Sequence, residues 1–249
     1  MKNSQIKILT KGIINGSVGK SSLFMLFALC TLIFFTALPV VAAYFIPNTI
    51  ISIAVIFVSL AIYALARCAF RSGSGAWFRF YQRKNRTGRV LYWFSPKRAL
   101  RSMGLYASIF FRKLFWTLIL ILPGALTVFS FCYLAYDSGI EFNLFLCGIV
   151  GGAVLTAVGL LFRFILVQRY FLAQNIFVSD PKIKASQAIR LSREIMNGKL
   201  KRTALFKLSF TPWILLCAGV LPAIYVWPYY RQNCALLAGE IKKEIKQTA

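Results

Sequence analysis

Long apolar runs without a single charged side chain constrain this chain more than any other feature. The run from Phe142 to about Phe162 is the clearest of several. About 20 apolar residues are enough for a helix to cross the hydrocarbon core of a bilayer. The overall composition agrees, because 59% of the 249 residues are hydrophobic and 14% are charged, against about a quarter charged in soluble domains. We therefore predict an all-α fold, a polytopic transmembrane helical bundle.

The spacing of these runs predicts five to six spans in one membrane domain covering 1–249. Pro123-Gly124 is expected to interrupt the third span, because proline removes a backbone donor. The predicted segments are a cytoplasmic N-terminal segment 1–22, a first helical hairpin 23–66, a basic cytoplasmic region 67–113, a second helical hairpin 114–162, a basic region 163–207 with an amphipathic helix at 181–197, and the last span or spans with a basic tail at 208–249.

Charge predicts the orientation of these segments. There are 30 Lys and Arg, 6 Asp and Glu and no His, which gives a net charge of +24. Lys and Arg favour the cytoplasmic side of a membrane. The N-terminal segment holds 4 of them, the two basic regions 12 and 10, and the tail 4. The short connection between the third and fourth spans carries only Asp137 and Glu141. The N-terminus and both basic regions are therefore predicted to be cytoplasmic.

The side of the tail stays open at this stage. Its cations favour a broken hairpin through Val220–Pro222, which would return the tail to the cytoplasm and make six spans. Length favours a single last span and five in total, because Leu208 to Gly219 is too short to cross alone at 1.5 Å per residue.

The second basic region contains a pattern typical of an amphipathic helix. Ser179 or Asp180 is predicted to cap it, Pro181 to occupy the first turn, and Gly198 to follow its end. Such a helix either floats in the membrane interface or packs under the bundle, and both alternatives are open. Basic residues in the two regions are predicted to bind anionic lipid: Arg79, Arg83, Lys84, Arg86, Arg89, Lys182, Arg190 and Arg193.

Small residues in the fourth span predict close helix packing. Gly148 and Gly152 have the GxxxG spacing, and Thr156 continues the same face. Small side chains at this spacing let two membrane helices approach closely. Packing within the bundle is favoured over a dimer face or a substrate path.

The residue content gives no sign of catalytic chemistry. The chain has no histidine, its six acids form no pair, and its six cysteines are scattered, so we expect no enzyme activity, no cofactor and no metal site. We predict a lipid-contacting scaffold or accessory subunit of a membrane complex. Its expected partners are anionic phospholipids and either another membrane protein or a second copy, without nucleic acid. The alternative is a small transporter or export component with a substrate path at the proline-broken helices.

Motifs in the second half of the chain resemble a bacterial family. Lys113-Leu-Phe-Trp116 leading to Pro123-Gly124 resembles its Leu-Trp and Ile-Pro-Gly signature. Ala188-Ile189 with Ser192, Met196 and Gly198 resembles its Ala-Ile-x-x-Ser-x-x-Met-x-Gly segment, and Leu208-Ser209-Phe210 with Trp213 and Pro228-Tyr229 follows in order. The family is the DUF975 integral membrane proteins. The resemblance covers about the last 140 residues and implies a multi-pass protein of the bacterial cytoplasmic membrane whose function is undefined.

Overall fold

The described part of the chain is helical. The computed structural model describes residues 3–15, 49–80, 92–139, 141–180, 182–216 and 220–248, with residue 90 and isolated positions between 16 and 48. The predicted first span and the turn at Pro47-Asn48 therefore lie largely outside the described residues. The helices are α1 Asn3–Asn15, α2 Thr49–Arg79, α3 Pro96–Ser138, α4 Phe142–Val167, α5 Ala173–Ser179, α6 Ala185–Met196, α7 Leu200–Leu208, α8 Thr211–Leu216 and α9 Val220–Thr248, with 3-10 turns at Tyr92–Phe94 and Gln168–Tyr170.

Within the described residues, three stretches of helix are long and apolar enough to cross a membrane. They cover Ile50–Arg79, Pro96–Asp137 and Phe142–Ser179. Few of the residues in their apolar windows, between 6% and 17%, are buried inside the protein. Large apolar side chains such as Phe129 and Leu161 are exposed instead. Lipid would cover this apolar surface, which water cannot solvate favourably.

The predicted boundaries of the first basic region fall inside continuous helices. Residue 66 lies within α2, and residue 113 lies within α3. The described parts of region 67–113 are therefore mostly extensions of two long helices and not a separate segment between them. Ser95 is the N-cap residue and Pro96 begins α3, but the Ser95 side chain makes no capping hydrogen bond.

The predicted interruption of the third span at Pro123-Gly124 is wrong. Helix α3 runs through Pro123 to Ser138. A proline costs one backbone hydrogen bond, and membrane helices tolerate this loss when neighbouring groups compensate. One turn later the Thr127 hydroxyl donates to the Pro123 carbonyl at 2.9 Å, which is not the Ile119 carbonyl that the proline leaves without its helical donor. Gly139, in the left-handed conformation at φ 61°, ends the helix.

One end of the long helices is embedded in a packed helical body, which we call the basal body. It is formed by α1, the short helices α5 to α7 and the C-terminal part of α9, together with the adjoining ends of α2 and α3. It has a buried interior, unlike the apolar stretches of the long helices. One core contains Phe177, Ile189 and Leu105, and a second contains Phe206, Met196 and Leu237.

Helix α6 begins later than predicted. It starts at Ala185, with Lys184 as its N-cap residue, instead of following a cap at Ser179 or Asp180. Asp180 ends α5 in an extended conformation, which is the conformation favoured for a residue before proline. Its Oδ1 accepts a hydrogen bond from the Lys182 backbone N–H at 3.0 Å. Ala188, Ile189 and Met196 on one face of α6 are fully buried, so this face packs on protein.

The tail shares a core with the N-terminal helix. Ile6 of α1 is fully buried with Leu237 and Ile241 of α9. The Tyr229 hydroxyl donates to the Lys7 carbonyl at 3.3 Å. The last apolar run is divided between α8 and α9, which contact each other, and residues 217–219 between them lie outside the described part. The N-terminal helix and the tail thus belong to the same basal body.

Candidate functional site

Helices α3 and α4 pack closely where the predicted small residues lie. A Cβ atom added to Gly152 would meet Val128 Cγ2 at 2.7 Å and the Gly124 carbonyl oxygen at 3.1 Å. A Cβ added to Gly148 would overlap the ring of Phe131. The Thr156 hydroxyl donates to the Gly152 carbonyl at 2.8 Å. The three residues therefore lie at an intramolecular helix contact, where Gly124 supplies the matching small surface.

The predicted lipid-binding residues lie in different surroundings. Arg79 donates to the Asn175 carbonyl oxygen at 3.1 Å and so ties the end of α2 to α5. The other four cations predicted in the first basic region lie outside the described residues: Arg83, Lys84, Arg86 and Arg89. Lys182 is exposed at the start of the second set.

Two predicted residues of the second set line a surface cleft. Arg190 and Arg193 are exposed on α6, and Arg169 approaches them from the preceding 3-10 turn. The cleft has a volume of about 420 Å³ and is completed by Glu194, Asn197 and Leu200. Arg190 pairs with Glu194 at 3.7 Å, and both side chains are largely exposed. The cleft wall thus presents three guanidinium groups and one carboxylate.

A second group of cations lies deeper, where the long helices enter the basal body. We call it the basal cation cluster. Arg71, Arg163 and Lys207 lie close enough to Lys113 to repel its ammonium group electrostatically. Arg231 lies within electrostatic range of Arg71 and Lys207. The five side chains come from α2, α3, α4, α7 and α9, so the cluster exists only in the folded chain.

Neutral groups hold most of these cations in place. Lys207 Nζ donates to Gln168 Oε1 at 2.6 Å, Arg163 Nε to Thr117 Oγ1 at 2.6 Å, and an Arg231 guanidinium N–H to Ser74 Oγ at 2.7 Å. The Arg71 guanidinium lies 4.8 Å from the centre of the Tyr106 ring. The ammonium group of Lys113 has no hydrogen-bond partner in the described part of the chain.

Burial changes the titration of the groups at the foot of the cluster. It lowers the pKa of the Lys207 ammonium below its usual 10.5 and lowers the pKa of Arg231 as well. Burial also raises the pKa of the nearby Cys234 thiol, although Lys207 and Arg231 act in the opposite direction. The thiol is therefore neutral at physiological pH and supplies no negative charge to the cluster.

The sequence carries a signal for this cluster that the cation totals of the predicted segments do not show. Each of its members stands at or near the border of an apolar run: Arg71 after the second, Lys113 before the third, Arg163 after the fourth, and Lys207 and Arg231 on either side of the last. Counting cations by region hides this arrangement, since the region totals mix border residues with surface ones.

Fold and site together define a helical protein whose described residues include three membrane-length apolar helices and a basic body at one end. The chain belongs to the DUF975 family, described as proteins of unknown function, whose model matches residues 1–242. The match extends the resemblance from the second half of the chain to nearly all of it. No curated protein and no solved structure matches the chain.

Proposed function

We propose that this protein is a multi-pass scaffold or accessory subunit of the bacterial cytoplasmic membrane that contacts anionic phospholipid through its basic end. One observation carries the proposal. Lys and Arg residues gather at one end of the apolar helices. At the other end of α3 and α4, the only charged residues of the connection are Asp137 and Glu141. Anionic head groups attract Lys and Arg at the cytoplasmic face of a membrane.

The same distribution supports a six-span topology. Lys207 and Arg231 flank the last apolar run and lie together in the basal cation cluster. If both ends of an apolar run lie at the same depth relative to the membrane, the run enters and leaves the membrane on the same side. The packing of the tail on α1 agrees. The basal body is accordingly the cytoplasmic part of the protein, with both chain ends in it.

The cleft on α6 is the place proposed for head-group contact. Arg169, Arg190 and Arg193 line it. A guanidinium group can bind a phosphate group through two parallel N–H···O hydrogen bonds. The proposal includes no catalytic role. A substrate path at the helix prolines has less support, because the hydroxyls of Thr127 and Thr156 donate to carbonyls of their own helices.

Lipid analysis of the purified protein tests the proposal. The full chain is extracted in mild detergent at low salt, and its retained phospholipids are compared with those of the source membrane. We expect enrichment of anionic species, reduced in the double variant Arg190→Gln with Arg193→Gln. The matched control, Lys97→Gln with Lys201→Gln, removes two exposed cations outside the cleft and is expected to retain the enrichment. A retained lipid composition equal to the bulk membrane contradicts the proposal.

A further inference from the structure

The basal cation cluster differs from an ordinary basic surface. Surface lysines and arginines point into water, which screens them. Here five helices each contribute one cation, and of the five side chains Arg71 alone is exposed. The side chains of Lys207 and Arg231 are desolvated enough to lower their pKa values. The cluster is therefore built into the protein, and Arg71 is its exposed member.

Among the described residues, no acidic side chain acts electrostatically on Lys113, Lys207 or Arg231 of the cluster. All six acids of the sequence are in the described part. Asp137 and Glu141 lie at the opposite end of α3 and α4. The other four contact groups outside the cluster: Asp180 accepts from the Lys182 backbone, Glu194 pairs with Arg190, Glu240 with Lys243, and Glu244 with Lys199 and Arg202. The titratable groups that interact electrostatically with Lys113, Lys207 and Arg231 are other cations, tyrosine phenols and a cysteine thiol.

Such an arrangement is costly without an anion. Taking a charge out of water is unfavourable unless an opposite charge or several hydrogen bonds replace the solvent. Neighbouring like charges add to the cost. Three of the cations have one neutral acceptor each, and the Lys113 ammonium has none in the described residues. An anion placed among them would both neutralise the repulsion and supply the missing acceptors.

We propose that the basal cation cluster is a binding site for a phosphate group, with Arg71, Lys113, Arg163, Lys207 and Arg231 as its cationic lining. The inference rests on the proposed membrane placement of the protein and names a site distinct from the cleft on α6. It assigns ligand recognition to the foot of the long helices, where the described residues supply Lys113, Lys207 and Arg231 with no acidic partner.

A phosphate group fits this lining better than a carboxylate. It offers more acceptor oxygens and carries up to two negative charges, and arginine binds it through paired N–H donors while lysine adds a point charge. The cluster stands at the borders of the apolar runs, which is the depth of the phosphate groups in a bilayer. The phosphate can belong to an anionic lipid or to a soluble compound, and the two sources are separated by experiment.

Thermal unfolding of the full-length protein provides the test. In neutral detergent, sodium phosphate is compared with sodium chloride at equal ionic strength. In a second arm, nanodiscs of phosphatidylcholine are compared with nanodiscs that also contain phosphatidylglycerol. A ligand near 100 times its Kd is expected to raise Tm by roughly 5–10 °C. A rise with inorganic phosphate identifies a soluble ligand, and a rise with phosphatidylglycerol alone identifies a lipid.

Lys113→Met is the informative variant. Its ammonium makes no hydrogen bond in the described residues, so the variant is expected to keep or raise the ligand-free Tm while losing at least half of the ligand-dependent rise. Lys113→Arg keeps the charge and is expected to retain the rise. Lys201→Met removes an exposed lysine from α7, the helix that carries Lys207, and serves as the control with an unchanged rise.

The outcomes separate this inference from the proposed lipid contact. If phosphate and phosphatidylglycerol both leave Tm unchanged, or if Lys113→Met keeps the full rise, the phosphate site is wrong. Enrichment of anionic lipid through the α6 cleft would still stand in that case. If Lys113→Met lowers the ligand-free Tm as much as it lowers the ligand-dependent rise, Lys113 is a structural residue, and this also overturns the proposal. A rise with phosphate but no lipid enrichment keeps the site and removes the lipid-contact function.

Discussion

At the residue scale, the contact between α3 and α4 depends on glycines, because a residue without a side chain lets the two helices approach closely. Gly124, Gly148, Gly152 and Gly159 each face the opposite helix so closely that a Cβ atom would meet it. Without a driving force from water, membrane helices associate through close packing of this kind. The GxxxG spacing identified Gly148 and Gly152. No spacing rule identified Gly159 as a contact.

Gly159→Ala is expected to destabilise the protein by about 1–3 kcal/mol. The added Cβ would overlap the Leu120 carbonyl oxygen, and a backbone atom cannot rotate away. Gly151→Ala on the same helix is the control, because no atom lies within 4 Å of its added Cβ; the better helix propensity of alanine favours it by up to about 1 kcal/mol. Unfolding in denaturant measures both. Equal effects would contradict the packing role of Gly159.

Glu244 supplies a pH-dependent contact. Hydrogen bonds from Arg202 and Lys199, at 2.8 and 3.0 Å, lower the pKa of its carboxyl group below the usual 4.5. Because the pKa is lowered in the folded state, the stabilisation is present above pH 4.5 and is lost as the pH falls through the lower folded pKa. The partners are partly exposed, so the contribution is roughly 1 kcal/mol at neutral pH.

The difference in unfolding free energy between wild type and Glu244→Gln, measured against pH, tests this contact. We expect a plateau at neutral pH that disappears in acid. Lys243→Gln is the control on the same helix, because its side chain is exposed and its ion pair with Glu240 is local to one turn of α9. A difference that is the same at pH 7 and pH 3 would show that Glu244 does not act through its charge.

At the element scale, sequence patterns located most helices and misplaced some of their ends. The Ser-Pro pair before α3 marked its start. Asp180-Pro181 resembles a helix start equally well, but Asp180 closes α5 instead. Asp and Ser side chains favour both helix caps and turns. The packing of α6 on its neighbours decides which of the two forms at Asp180. Pro123 was misread because proline is less disruptive within membrane helices than in soluble ones.

The contact between α1 and α9 was not predictable from periodicity, because its partners are separated by nearly the whole chain. Ile6→Ala is expected to cost about 2–5 kcal/mol, since Ile6 is fully buried against Leu237 and Ile241. Ile8→Ala is the control on the same helix, where the side chain is 73% exposed; its effect is expected to be within about 0.5 kcal/mol. Thermal unfolding distinguishes them, and similar losses would contradict this placement of α1.

At the scale of the whole molecule, composition and charge indicate a helical membrane protein with its cations on one side. They do not reveal that the basic regions form a packed body. That body has its own cores, built from residues as far apart as Ile6, Phe206 and Ile241. The basal cation cluster likewise draws on five helices. Cluster and cores both require tertiary contacts, which a single sequence read by segments does not contain.

The side of the C-terminus tests the central claim most directly. The claim is that the basal body, with both chain ends, lies on the cytoplasmic side, and that the last apolar run returns to it. Green fluorescent protein and alkaline phosphatase are fused in turn to residue 249, with insertions at Gly139 in the acidic connection as the control. We expect fluorescence and no phosphatase activity at residue 249, and the reverse at Gly139. Phosphatase activity at residue 249 would contradict the account.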